Sequence, residues 1–196
     1  MAKKLESSLV NMVVVLTAIT LISAVALSAM NTATTEPIKL AQKQKTEAAI
    51  KQVLPEFATL DSKTVELDGE EVVCNYAYNS NGDYVGVAVN SFTNKGFSGY
   101  IGVMVGIDKD GNITGYQILQ TSETPGLGTK ADLWFQEDGK GCVIGMNAKD
   151  NPLFVKKDGG EVDAITAATI SSRAFCDAIN RAYEAIKIME ETSNED

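Results

Sequence analysis

From Ser7 to Thr35 the chain carries no charged residue, and the stretch from Leu9 to Met30, "LVNMVVVLTAITLISAVALSAM", is almost wholly apolar. Coiled as a helix at about 1.5 Å per residue, a run of that length crosses the roughly 30 Å hydrocarbon layer of a bilayer. A cleaved signal peptide is the alternative, because "ALSAM" offers small residues at which a peptidase can cut. The run exceeds the roughly 7–15 residue apolar stretch of such peptides. It therefore predicts a retained transmembrane helix over residues 9–30, with residues 1–8 as a cytoplasmic N-terminus. Lys3 and Lys4 precede the run and Glu36 is the first charge after it. A short basic end stays inside, so the chain is expected to cross the cytoplasmic (inner) membrane once, with its larger part on the periplasmic or extracellular side.

Composition narrows what that larger part can do. Of the 196 residues, 44% are hydrophobic and 22% charged, which is a globular balance. A net charge of −9 argues against nucleic acid as a partner and against lying flat on anionic lipid. The absence of histidine removes Ser-His and Cys-His nucleophiles and the commonest zinc and haem ligand. Cys74, Cys142 and Cys176 are widely spaced with no CxxC run, so neither an iron–sulfur cluster nor c-type haem is indicated. They read as buried small hydrophobes, with one disulfide open in an oxidising compartment.

Beyond the apolar run, residues 31–60 are expected to form a linker and a helix, because "EPIKLAQKQKTEAAIKQVLP" has proline near its start, helix formers throughout and proline as a stop. Five β-like segments follow, Thr64 to Leu67, Glu71 to Tyr78, Tyr84 to Val89, Tyr100 to Ile107 and Ile113 to Leu119, punctuated by the turn signals "NSNG" and "DKDGN". Ile101, Val103, Val105 and Ile107 alternate with Gly102, Met104 and Gly106. That small-residue face admits either a flat ligand or another backbone. At the end of the chain Phe175, Ala178, Ile179, Ala182, Tyr183, Ile186 and Met189 recur at helical spacing, predicting an amphipathic helix from about Ser171 to Glu190. The fold class is α+β: an N-terminal transmembrane helix, then a domain over residues 61–196 with an antiparallel sheet and packed helices.

Two stretches mimic other chemistry. "DKDGNI" lacks the glycine at the sixth position and the glutamate at the twelfth of a calcium loop, so it reads as a hairpin turn. "PGLGTK" lacks the spacing of a phosphate loop, which argues against a nucleoside triphosphatase. The dense hydroxyl cluster Thr166, Thr169, Ser171 and Ser172, within "DAITAATISSRAF", stands at the start of the last helix. One such residue suffices as a helix cap. Several together, with Arg173 as counter-charge, suit a phosphate at the positive end of the helix dipole.

"DAITAATISS" resembles the flavinylation motif D-[GA]-x-[ST]-G-A-T-x-[ST] of the FMN-binding domain family. "SETPGLGTK", from Ser122 to Lys130, resembles the family's E-T-P-G-L-G loop, and "KGFSGYIGVMVGIDKDGNITGYQIL" resembles its central hairpin. With an N-terminal anchor and this length, the likeness is greatest to members that serve in the Rnf ion-translocating electron transport complex. Members that serve in the sodium-translocating NADH:quinone oxidoreductase rank second.

The resemblance implies covalent FMN, joined by a flavin transferase through a phosphoester to Thr169. It implies that Thr166 and Ser171 support the phosphate, and that Glu123, Thr124, Leu127 and Gly128 line the flavin. The chain would then be an electron relay among the other membrane and peripheral subunits of a ferredoxin:NAD oxidoreductase complex that moves sodium or protons, with no catalytic residue and no metal of its own. A stand-alone flavin reductase would need a dinucleotide-binding fingerprint, which the sequence lacks. A non-redox anchored scaffold is the remaining alternative. Ala167 stands where the family pattern has glycine. A left-handed backbone there would strain an alanine, so an ordinary negative φ is expected at Ala167, with its methyl directed away from the Thr169 oxygen.

Overall fold

A computed structural model of the chain describes residues 8–193. Lys3 and Lys4, on which the expected orientation rests, lie outside the described residues. The chain divides into two compact units, with the boundary between Gln44 and Lys45.

Helix α1 runs Leu9–Val53 and contains the whole apolar stretch, with Pro37 inside it. It is long and apolar enough to cross a membrane, and none of its most apolar window is buried within the protein. The expected helix start at Glu36 is an interior position instead. Thr32, Thr34 and Thr35 turn their hydroxyls back onto the carbonyls of Ser28, Met30 and Asn31 at 3.0, 2.8 and 2.6 Å. The hydroxyl-rich stretch before the proline thereby satisfies itself within the helix.

The second unit begins with the last turns of α1. Five strands follow, β1 (Thr59–Leu67), β2 (Glu70–Tyr78), β3 (Tyr84–Gly96), β4 (Gly99–Asp108) and β5 (Ile113–Thr121), paired antiparallel in sequence order. All five expected β segments are present. Both turn signals close hairpins: Gly82 N donates to Asn79 O at 3.1 Å, and Gly111 N to Asp108 O at 3.1 Å. In the second turn the Asp108 carboxylate accepts the amides of Asp110 and Asn112, so it serves its own loop.

Strand β3 runs seven residues past the expected end at Val89. In that continuation Ser91 and Thr93 are buried, and their hydroxyls find partners on the last helix, α3 (Thr169–Ser193). Ser91 Oγ donates to Ala178 O at 2.6 Å, and Thr93 Oγ1 to Asp177 Oδ2 at 2.7 Å. Such bonds remove the cost of burying a hydroxyl, which hydrophobic alternation cannot register.

The two faces of β4 have separate covers. Ile101, Val103, Val105 and Ile107 join the main core with Phe175, Ala178, Ile179 and Ala182 of α3. Phe175 anchors this core, stacked on Phe135 at 4.2 Å between centroids and edge-on to Tyr116 at 4.8 Å. Met104, on the other face, packs with Ala77, Ala88 and the end of α1 at Ala49, Ile50, Val53 and Leu54. A β-carbon at Gly106 would collide with the Val53 backbone, its carbonyl carbon 2.6 Å away. The Thr114 hydroxyl donates to the Val53 carbonyl. The small-residue face thus admits a backbone, that of α1.

Between β5 and α3 the chain makes a short helix, α2 (Ala131–Trp134), and a 3-10 turn at Lys156–Asp158. Cys74 and Cys176 are buried and all three cysteines are free.

Candidate functional site

The "ETPGLG" loop leaves the end of β5 through a tight turn. Leu127 N donates to Thr124 O at 3.1 Å, with Pro125 and Gly126 between them and Gly126 at φ 78°. This is a type II turn, in which proline presets the first central residue and glycine supplies the left-handed second. Thr129 Oγ1 accepts from Gly126 N at 3.0 Å and ties the loop shut. Thr124 is exposed, Leu127 is 40% exposed, and Gly128 is buried.

Glu123, the first residue of the motif, is only 6% exposed. Its carboxylate joins three segments. Oε2 accepts from Ser171 Oγ at 2.6 Å, in the first turn of α3. Oε1 accepts the Ser98 amide at 3.1 Å, in the β3–β4 turn. A β-carbon on Gly128 would sit 2.7 Å from Ser171 Oγ and 2.8 Å from Glu123 Cβ, so only glycine lets the loop close over this pair. Buried hydrogen bonds to a charged group are among the stronger ones in proteins. They hold the loop against the helix.

The segment before α3 makes a second turn of the same type. Ala168 N donates to Ile165 O at 3.0 Å, and Ala167, at the second central position, has φ 63°. The expectation of a negative φ at Ala167 is therefore wrong. The turn places residue 167 in the left-handed region, and the surrounding bonds outweigh the local cost to alanine. Ser172 is the main one: its hydroxyl accepts from Ile165 N at 2.9 Å and donates to Ala168 O at 3.0 Å.

The four hydroxyls therefore divide into two pairs. Ser171 and Ser172 are buried and serve the loop and the turn. Thr166 is exposed in the turn, and Thr169, the first residue of α3, is partly exposed. Thr169 Oγ1 accepts from Lys157 Nζ at 3.4 Å.

Charges around Thr169 are placed by the 3-10 turn. Arg173, expected as the counter-charge, is committed to Asp158 by two bonds of 2.6 and 2.7 Å. These bonds, and then the charge of the guanidinium, hold the Asp158 carboxyl below its usual range. Lys156 pairs with Asp163 at 2.7 Å, while the Asp163 carbonyl accepts from Trp134 Nε1 at 2.8 Å. Sequence reasoning missed Lys157, which lies in "KKDGG" twelve residues before Thr169 and belongs to no motif. Ser172 belongs to the hydroxyl cluster that the sequence singled out, but its role in closing the turn depends on contacts that no propensity reveals.

The structure brings Glu123, Gly128 and Ser171 into one buried cluster. It places Thr166 and Thr169 at the accessible helix entrance, and Thr124 and Leu127 on the outer side of the loop. This donor set suits a phosphorylated group. There is an accessible hydroxyl, an ammonium beside it and the free amides of a first helical turn.

Residues 96–184 match the FMN-binding domain family. Over 96% of its length the chain is 35% identical to the G component of the ion-translocating oxidoreductase complex of Methanosarcina acetivorans, covering 98% of that protein. It is 33% identical to the G component of the Na(+)-translocating ferredoxin:NAD(+) oxidoreductase complex of Acetobacterium woodii, over 87% of each chain. It is 32% identical to the corresponding component of the Aliivibrio fischeri complex, over 81% of this chain and 80% of the relative.

Proposed function

The chain belongs to the family of G components of ion-translocating oxidoreductase complexes, and from that membership we propose that it is a membrane-anchored flavoprotein relay. It carries electrons inside a ferredoxin:NAD oxidoreductase complex coupled to sodium or proton translocation. The observation that carries this reading is the bond from Ser171 to Glu123. It joins the "ETPGLG" loop to the helix start that carries Thr169, which supports reading two motifs far apart in the chain, one opening at Glu123 and the other at Asp163, as parts of one site.

Thr169 Oγ is the covalent anchor, joined to the FMN phosphate by a flavin transferase. Bound FMN supplies one- and two-electron redox chemistry, which side chains lack. Each residue of the chain then has a mechanical task. Thr169 fixes the cofactor to a rigid helix end. Thr166, in the turn before it, and the first amides of α3 face the phosphate. Leu127 and Thr124 give the flavin an apolar and a polar contact on the loop. Glu123, Ser171 and Gly128 hold that loop at a constant distance from the anchor. Fixed spacing matters for a relay because transfer between centres depends on their geometry, and a tethered flavin cannot diffuse away.

The apolar part of α1 holds the domain at the membrane, and Lys3 and Lys4 favour an outward-facing flavin domain. A cysteine introduced into the "NSNG" turn, with the native cysteines replaced, should react with an impermeant thiol reagent in intact cells. Labelling only after lysis would reverse the orientation.

The decisive experiment is co-expression with a flavin transferase, followed by denaturing electrophoresis. Wild-type protein should give a fluorescent band and Thr169→Ala should not. A band retained in Thr169→Ala, or none in the wild type, would sink the covalent assignment.

A further inference from the structure

Three cations flank the start of α3, and two of them are held by carboxylates: Arg173 by Asp158 and Lys156 by Asp163. The third, Lys157, directs its ammonium at the Thr169 hydroxyl, 3.4 Å away. Its place is not accidental to the fold. The 3-10 turn that carries it is closed by Asp158 N to Val155 O at 2.8 Å, and fastened to the next segment by Lys156 N to Val162 O at 2.9 Å. Asp158 then ties the same turn to α3 through Arg173. The neighbours on either side of Lys157 are thus both clamped, one to the motif's Asp163 and one to α3.

Resting on the covalent reading of Thr169, we infer that Lys157 is a positioning residue for the phosphate, both when flavin is attached and afterwards. A tetrahedral phosphate on Thr169 Oγ places its non-bridging oxygens within reach of a group that already touches that oxygen. In the attachment step the Thr169 Oγ–P bond forms and a P–O bond in the pyrophosphate of a flavin dinucleotide breaks. A nucleoside monophosphate leaves, and the hydroxyl proton passes to the transferase or to water. The oxidation state of the flavin does not change. The phosphate that remains carries one negative charge beside a chain of net charge −9, and Lys157 is the cation placed to balance it.

The test uses the full chain in detergent, a purified flavin transferase and a flavin dinucleotide. It follows gel fluorescence and intact mass for the wild type, Lys157→Met, Lys157→Arg and the remote exposed Lys109→Met. Lys157→Met should slow attachment roughly fivefold, as expected for loss of one charge-assisted contact near the surface. Lys157→Arg should recover most of the rate, and Lys109→Met should match the wild type. Added salt should slow the wild type more than Lys157→Met, because screening removes an attraction that the variant already lacks. The attached flavin should also show lower fluorescence anisotropy in Lys157→Met. Equal rates in the wild type and Lys157→Met, or equal loss in the Met and Arg variants, would overturn the inference while leaving Thr169 as the acceptor. A wild type that gains no flavin, or gains it on another residue, would overturn the covalent reading and this inference with it.

Discussion

Ser171 Oγ lies 2.6 Å from Glu123 Oε2 in a buried pocket of polar groups, and through that bond the first turn of α3 is joined to the loop after β5. Neither residue needs to touch a ligand for the contact to matter. It ties the helix turn that carries Thr169 to the loop that carries Leu127.

Glu123→Ala should destabilise the domain by about 2–3 kcal/mol, because it removes an acceptor from Ser171 and from the Ser98 amide in a buried place. Gly128→Ala should cost about 1–3 kcal/mol through the opposite fault, an added methyl with no room. Urea unfolding followed by tryptophan fluorescence is a suitable measurement, since Trp134 is the single tryptophan and bonds to the Asp163 carbonyl. A loss below about 0.5 kcal/mol for both would mean that the carboxylate does not hold the loop.

At Ala167 the sign of the expected effect follows from φ 63°. Alanine in the left-handed region costs about 1–2 kcal/mol, of which glycine's greater freedom in the unfolded chain returns about 0.4–1. Ala167→Gly should therefore stabilise the domain by roughly 0.5–1 kcal/mol. Ala167→Val should destabilise it, because a β-branched residue is poorly tolerated at positive φ. Thermal unfolding of the three proteins checks both signs, and a less stable Gly variant would contradict the turn assignment.

The docking of the end of α1 on the sheet depends on the absence of a side chain at Gly106. Gly106→Ala forces the methyl against the Val53 backbone and displaces the bond from Thr114. Backbone yields less readily than a side-chain tip, so a loss of about 2 kcal/mol or more is expected. Amide exchange of residues 49–54 should quicken in this variant, while exchange in α3 stays slow. Unchanged protection at Ile50 and Val53 would disprove the packing.

Burial pushes the Cys74 thiol up to about 11 and the Cys176 thiol up to about 12, from an ordinary value of 9.0. The unfolded chain loses these protons at a lower pH than the folded one. Their stabilising contribution is therefore complete below pH 9 and drains away as pH rises through 11 and 12. Chemical unfolding at pH 8 and at pH 10.5 should show a smaller decline for Cys176→Ala than for the wild type. At neutral pH neither buried thiol should react with a disulfide reagent in the folded protein.

Periodicity and turn chemistry made much of this protein readable from residues alone. The uncharged run from Ser7 to Thr35, the five strands and the helical spacing after Ser171 are local patterns, and each carries its own physical cause. The two motifs also named Thr169 and the "ETPGLG" loop, although not how they meet. What local pattern leaves open is any position whose energy comes from a distant partner. Ser91 and Thr93 continue β3 only because α3 offers Ala178 and Asp177 as acceptors. Gly106 could have faced a ligand or a backbone, and the end of α1 decides for the backbone. Ala167 is left-handed because Ser172, Ile165 and Ala168 close a turn around it, and their combined bonds exceed the cost to a single residue. Lys157 reaches Thr169 because the turn that carries it is closed by its own backbone bonds and paired with Asp163 and Arg173, contacts of seven and fifteen residues' separation that no periodicity or propensity signals.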